Sequence, residues 1–255
     1  MEFGRTKPYT RAEKPRLVID HYLDTAALPA PPAVVDRASG VLDWPMYGND
    51  TIGDCTIATA GHEIQAWTSC AGAEVTIPES AVIEAYSAVS GYNPATGAND
   101  NGANVQDVLG YWRKTGVGGH KIAGFAELAG IDNLTLAKQC LQIFGTVYLG
   151  INVPQSAIDQ FHAGEPWTYT GDRNIVGGHA IPVQYWQTDV TGEIQVVTWG
   201  QRQRMTRAFW HNYVEEAWVI FSPDWEEANG GTPSGYSVDQ LRAAFTTLTG
   251  DAPGF

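Results

Sequence analysis

Three cysteines are too few, and wrongly spaced, to hold a chain together. Cys55, Cys70 and Cys140 form neither an even framework nor a metal-binding pair, so a disulfide-stapled domain and a cysteine-rich zinc site are excluded. No metal and no cofactor is expected. Basic residues are scarce: 15 Lys and Arg face 28 Asp and Glu, a formal net charge of −13. That balance repels phosphate backbones, so nucleic acid is not expected as a partner. Charge is sparse altogether, at 17% of residues against 44% hydrophobic, which is unlike a disordered chain. No stretch approaches the roughly 20 apolar residues of a membrane span, and no membrane partner is expected. The opening MEFGRTKPYTRAEKPR has basic residues with no apolar run behind them, so it reads as no secretion signal. The 255 residues do contain apolar material for one large domain or two modest lobes.

The chain changes character twice. Residues 1–40 hold the early basic residues and the Pro-rich run from Leu28 to Asp36, which favours extended geometry and cannot nucleate a helix. They read as an extended arm, pinned on its own domain or on a neighbour, and residues 41–255 as the domain. Ile57, Ala60, Ile64 and Trp67 recur in steps of three and four and mark one helical face. Asp54 is placed to cap that helix, and Cys55 falls in its first turn. Further helices are expected from Pro78 to about Val89, from Val105 to near Gly116, and from Leu134 to Phe144. Strands are expected at Thr146–Val153, Ala180–Trp186, Ile194–Trp199 and Ala217–Phe221. A last helix is expected from Ser237 to Leu248. Helices gather before residue 145 and strands after it. That segregation argues for α+β with a helical lobe (about 45–145) and a β lobe (about 146–255), and against a doubly wound α/β fold.

Three separated pieces carry chemistry when read together: Asn49–Cys55, Gly177–Val183 and Val197–Gly200. A Gly-Asp pair leads into Cys55 at a helix start, where the dipole favours thiolate. His179 enters an apolar strand directly after two glycines. A Cys and a His that meet across a lobe boundary make a nucleophile and its base. Cys70 and Cys140 have no such context and read as structural. His62, two turns beyond Cys55 on the same helix, is about 10 Å along the axis, too far to serve as its base. Gly97–Gly102 lacks the alternating ligands of a calcium loop and reads as a cleft-side loop. Asp224, Glu226 and Glu227 read as a solvated turn. Trp112, Trp167, Trp186 and Trp199 are candidates to line a cleft.

In order and spacing these pieces resemble the papain-like cysteine peptidases, over roughly residues 45–222, and more narrowly the papain-like proteins encoded by bacteriophages of Actinobacteria. The resemblance implies a two-lobed fold with a central Cys-bearing helix and an antiparallel, barrel-like β lobe. It also implies Cys55 as nucleophile and His179 as base. Asn49, six residues before Cys55, stands where the family places the Gln of the oxyanion hole. Trp199 matches the tryptophan that covers the histidine contact. Val197 stands where the family carries the Asn that orients the histidine. Thr198 could take that role only after a one-residue shift in register, which needs a bulge. The triad is therefore incomplete by the family's pattern. A charged Asp54 would oppose thiolate formation.

Two functions follow. One is a phage-encoded cysteine hydrolase that cleaves amide or peptide bonds in a peptide or protein substrate through Cys55, His179, Asn49 and Thr198. The 54 residues before Cys55 leave room for the arm but not for a long inhibitory pro-domain. The alternative is a weakly active or inactive scaffold, a virion structural protein bound to a neighbouring virion protein through its arm. The host cytoplasm or the virion is the expected location.

Overall fold

The computed structural model describes residues 1–19, 30–187, 193–226 and 231–235. The helix expected at Ser237–Leu248 lies outside the described residues, as do Glu227 and the first two residues of the Pro-rich run. Six helices and a seven-stranded sheet form the described chain.

Helix α1, Cys55–Cys70, is the centre of the molecule. Ile57, Ala60, Ile64 and Trp67 are fully buried, but so is almost everything else: fourteen of its sixteen residues are buried. A helix covered on all sides must bring its polar groups inside paired or uncharged. Glu63 accepts a hydrogen bond from Thr146 Oγ1 at 2.6 Å, and burial pushes its carboxyl up to about 8, so it is neutral at neutral pH. At Gly61 an added Cβ would lie 2.7 Å from the Tyr47 ring, so only glycine lets that ring pack against the helix.

Helices α2 (Glu79–Ser90) and α3 (Val105–Lys114) pack on α1. Asn104 caps α3 by accepting from Gln106 N–H. Helix α4, Leu134–Phe144, is capped by Asn133 and stopped at Gly145, which has φ +84°. Trp67 and Trp225 close over the space beside Gly145, and their indole N–H groups donate to Phe144 and Ile143 carbonyls.

The sheet runs β2-β7-β3-β4-β5-β6, with β1 on β4, and every pairing is antiparallel. Its strands are β1 Val34–Asp36, β2 Gly124–Glu127, β3 Val147–Pro154, β4 Ile175–Gln187, β5 Ile194–Thr198, β6 Gln201–Met205 and β7 Val214–Phe221. Short helices α5 (Gln155–His162) and α6 (Arg207–Tyr213) follow β3 and β6. Strand β5 ends one residue before the expected Trp199. Trp199 and Gly200 both have positive φ (44° and 74°) and form the two-residue turn into β6. Trp112 and Trp167 are buried in the core, and Trp186, also buried, borders a pocket of ≈ 400 Å³ with Leu134, Lys138 and Arg207. Asp224 is not simply solvated: its carboxylate meets His120 Nδ1 at 2.9 Å.

Candidate active site

Helix α1 packs on β4, and this contact brings the two separated pieces together. Cys55, at the helix start, and His179, in the first half of β4, line one small enclosed space. Asn49, His62, Ala180, Val197, Thr198 and Trp199 complete its wall. The space is ≈ 10 Å³, about enough for one water. Cys55 and His179 are each 1% exposed.

The register of β4 against β5 decides which residue holds the histidine. Val183 pairs with Val196, but Tyr185 pairs with Gln195, so Gln184 is an extra residue in β4. This bulge shifts the following pairing by one. In the register of Val183 and Val196, steps of two put Thr198 rather than Val197 on the face of His179. Thr198 Oγ1 then lies 2.7 Å from His179 Nε2. Val197 turns the other way, into a small apolar cluster with Ala38, Val41, Trp44 and Ala66. Trp199 stacks on the imidazole at 4.5 Å between centroids and 17° between planes. His179 Nδ1 is buried with no hydrogen-bond partner. The imidazole is therefore held at one nitrogen and covered on one face, with the other nitrogen unengaged.

Electrostatics oppose an ion pair in this closed state. Burial pushes the Cys55 thiol up to about 12, against the opposing pull of backbone amides at Ala180 and Gly4. Burial, with Arg5 and His62 adding positive charge, drives His179 down to about 3. Both groups are neutral at neutral pH. Asp54 holds the N-cap position of α1 and its carbonyl accepts from Ile57 and Ala58 N–H, but its side chain makes no cap hydrogen bond. It is fully buried, and burial pushes it up to about 8. The expected negative charge beside Cys55 is thus largely absent at neutral pH. Asn49 donates from Nδ2 to the Ile52 carbonyl at 3.1 Å, which fixes its amide at the edge of the cavity.

The burial of both groups has a definite cause. The first residues of the chain lie along the cleft between the lobes. Glu2 N–H donates to Asn49 O, Ala103 N–H to Gly4 O, Arg5 N–H to Gly178 O, and Thr6 N–H to Ala103 O, at 2.6–3.0 Å. Arg5 and Ala103 form a parallel bridge. Phe3 sets its ring edge-on to both His179 and Trp199, about 6 Å away. Glycines line the path because nothing larger fits. A Cβ on Gly102 would lie 2.1 Å from Gly4 O, one on Gly177 2.5 Å from the Phe3 ring, and one on Gly178 2.4 Å from Arg5 O. The loop before α3 is indeed a cleft wall. Asp100 accepts from Gly53 N–H and from Tyr86 OH, which ties the loop to the turn before Cys55. Residues 1–19 are accordingly held on the chain's own domain.

No protein-family model matches this chain, and no curated protein matches it by sequence. Solved structures do match. Xylellain, a cysteine protease from Xylella fastidiosa, superposes with a TM-score of 0.63 at 15% identity, over 86% of this chain and 96% of that one. Digestive procathepsin L 3 of Tenebrio molitor larval midgut gives 0.62 at 14%, over 86% and 75%. A cysteine protease of Carica candamarcensis gives 0.53 at 13%, over 75% and 99%. The fold is papain-like. In this papain-like fold the order of helix and strands is preserved at an identity too low to carry any residue's role. The roles have to be argued from the geometry above.

Sequence reasoning missed the occupants of the cleft: Phe3, Gly4 and Arg5 on one side, Glu215 and Glu216 on the other. Arg5 pairs with both glutamates. A signal existed. Glu215-Glu216 is an acidic pair at the start of an otherwise apolar strand, and such a pair needs a cation when buried.

Proposed function

We propose that the chain is a cysteine hydrolase acting on amide or peptide bonds. The observation that carries this reading is the state of His179. Its Nε2 is engaged by Thr198, its face is covered by Trp199, and its Nδ1 is left for the cavity it shares with Cys55. With Nε2–H donating to Thr198 Oγ1, Nδ1 carries a lone pair and takes the Cys55 proton. The thiolate attacks the substrate carbonyl carbon. The oxygen gains the charge and is met by the N–H of Cys55 at the positive end of α1 and by the Asn49 amide. Imidazolium returns its proton to the leaving amine. Water then attacks the acyl-thioester with His179 as base, which releases the acid and restores the thiol.

The closed cleft requires the first residues to leave before a substrate enters. Solvent then reaches both groups, and the burial that keeps them neutral is removed. The alternative, a virion structural scaffold tied to a neighbour by its arm, gains no support from residues 1–19, which engage the chain's own cleft. The test is a peptidyl vinyl sulfone offered to the full chain carrying Gly4→Ala. The expected result is an adduct on Cys55 alone, absent with His179→Ala. Labelling spread over the three cysteines, or none, overturns the reading.

A further inference from the structure

We propose that the pocket filled by Arg5 is the specificity pocket of this site, and that the peptides it takes carry an arginine side chain there. The proposal deepens the hydrolase reading and rests on it. Arg5 follows Gly4, whose Cα packs against the Gly53 carbonyl in the turn that leads into Cys55, so the pocket is one residue along the cleft from the start of α1. Its wall is made by strands β3 and β7. Arg5 Nη1 donates to Glu216 Oε1 at 3.2 Å. Nη2 donates to Glu215 Oε2 at 2.7 Å, Asn152 Oδ1 at 3.0 Å and the Ile151 carbonyl at 3.2 Å. The Arg5 side chain is 1% exposed and that of Glu216 2%.

The wall is shaped for this group. A Cβ on Gly150 would lie 2.6 Å from Glu216 and 2.7 Å from Arg5 Cδ, so glycine leaves the room in which the two side chains meet. Glu216 is fixed from behind, where Trp218 Nε1–H donates to its second oxygen at 2.8 Å. Two adjacent carboxylates, one of them buried, need a cation. Four acceptors spread around one planar group match the fork of a guanidinium better than the point charge of an ammonium. Beyond Arg5 a cavity of ≈ 310 Å³, lined by Lys7, Asn152, Gly177, Gly178 and Glu215, gives a peptide room to continue. Arg5 is on this account a tethered occupant, and a free peptide with arginine takes its place once the segment leaves.

The test uses the full chain with Gly4→Ala and Arg5→Ala. A Cβ at Gly4 would lie 1.6 Å from the Gly53 carbonyl oxygen, which expels the segment, and the second change empties the pocket. Acetyl-arginyl-glycine amide and acetyl-norleucyl-glycine amide, which put the glycine carbonyl at Cys55 and the tested side chain one residue along, are titrated by calorimetry. The same two sequences are offered as fluorogenic amides. The expected result is binding of the arginine peptide at least about tenfold tighter, lost when Glu215→Gln and Glu216→Gln are added. Equal affinities, or no saturable binding, overturn the proposal. If the double glutamine variant does not fold, Glu215→Gln alone serves, since that side chain is 33% exposed. It weakens only the arginine peptide, and no change overturns the proposal. Turnover without a binding preference overturns the pocket and leaves the hydrolase reading standing. A preference without turnover supports the pocket and removes the hydrolase reading.

Discussion

Thr198 holds His179 with a hydroxyl, a shorter reach than the amide that the resemblance led us to expect one residue earlier. The contact is a buried 2.7 Å hydrogen bond, and a bond of this kind is worth about 1 kcal/mol net. In a chain whose first residues have been displaced, Thr198→Val is expected to slow Cys55 alkylation roughly five- to tenfold. Thr198→Ser keeps the rate. Val197→Ala changes it less than Thr198→Val does, because His179 Nε2 is held by Thr198 and the Val197 side chain packs into an apolar cluster. Cysteine-resolved mass spectrometry at fixed pH measures all three, and an unaffected Thr198→Val contradicts this role. Proton linkage gives a second prediction. Asp54 and Glu63 are raised to about 8, so between their unfolded values and 8 the folded state binds more protons and stability falls as pH rises. His179 and His62 are lowered, to about 3 and about 4. Below their unfolded value the folded state therefore binds fewer protons, and stability rises with pH. The two effects oppose each other up to about 6.5. From there to about 8 the carboxyls act in the same direction as His120, which its hydrogen bond to Asp224 holds above the ordinary imidazole value. Denaturant midpoints should fall over that window, and Asp54→Asn should flatten the fall. A midpoint that rises contradicts the burial of these groups in their neutral form.

Helices and strands differed in how legible they were. Helix α4 carries its pattern in full, with Asn133 before it and Gly145 after it, and its bounds match the expectation. The apolar periodicity of α1 was readable too, and Asp54 does hold its N-cap position, but the cap is made by its backbone carbonyl and not by its buried carboxylate. Strands β2 and β6 were not foreseen. Gly124–Glu127 and Gln201–Met205 are short and carry too few β-branched residues, so β2 takes its conformation from β7 and β6 from β5. The decisive element is the bulge at Gln184. Alternation alone places Val197 beside His179, and only the extra residue in β4 reverses the face. Nothing local in the sequence marks that bulge. The turn that follows is equally constrained, since Gly200 has φ +74°. Gly200→Ala is expected to destabilise the fold by about 1 kcal/mol and to loosen Trp199 over His179. Equilibrium unfolding in denaturant checks the first effect, and a variant as stable as the parent contradicts the turn assignment.

At the scale of the molecule, two lobes meet at a cleft, and the chain's own first residues lie in it. The residues proposed as nucleophile and base, Cys55 and His179, stand out in the sequence because their local contexts are distinctive. The occupancy of the cleft could not, because it depends on contacts between residues about 50 to 210 positions apart, such as Glu2 with Asn49 and Arg5 with Glu216. That occupancy explains why the pair is buried and neutral. The central claim is that Cys55 and His179 form a working pair masked by this segment. The most direct measurement is iodoacetamide labelling from about pH 5 to 9, a range that brackets an ordinary thiol. Each cysteine would be followed in the parent chain, in Gly4→Ala, and in Gly4→Ala with His179→Ala. The account expects Cys55 to be inert in the parent, fast below neutral pH in Gly4→Ala, and slow again once His179 is removed. A Cys55 that stays inert in Gly4→Ala, or that labels as an ordinary thiol whether or not His179 is present, would contradict it.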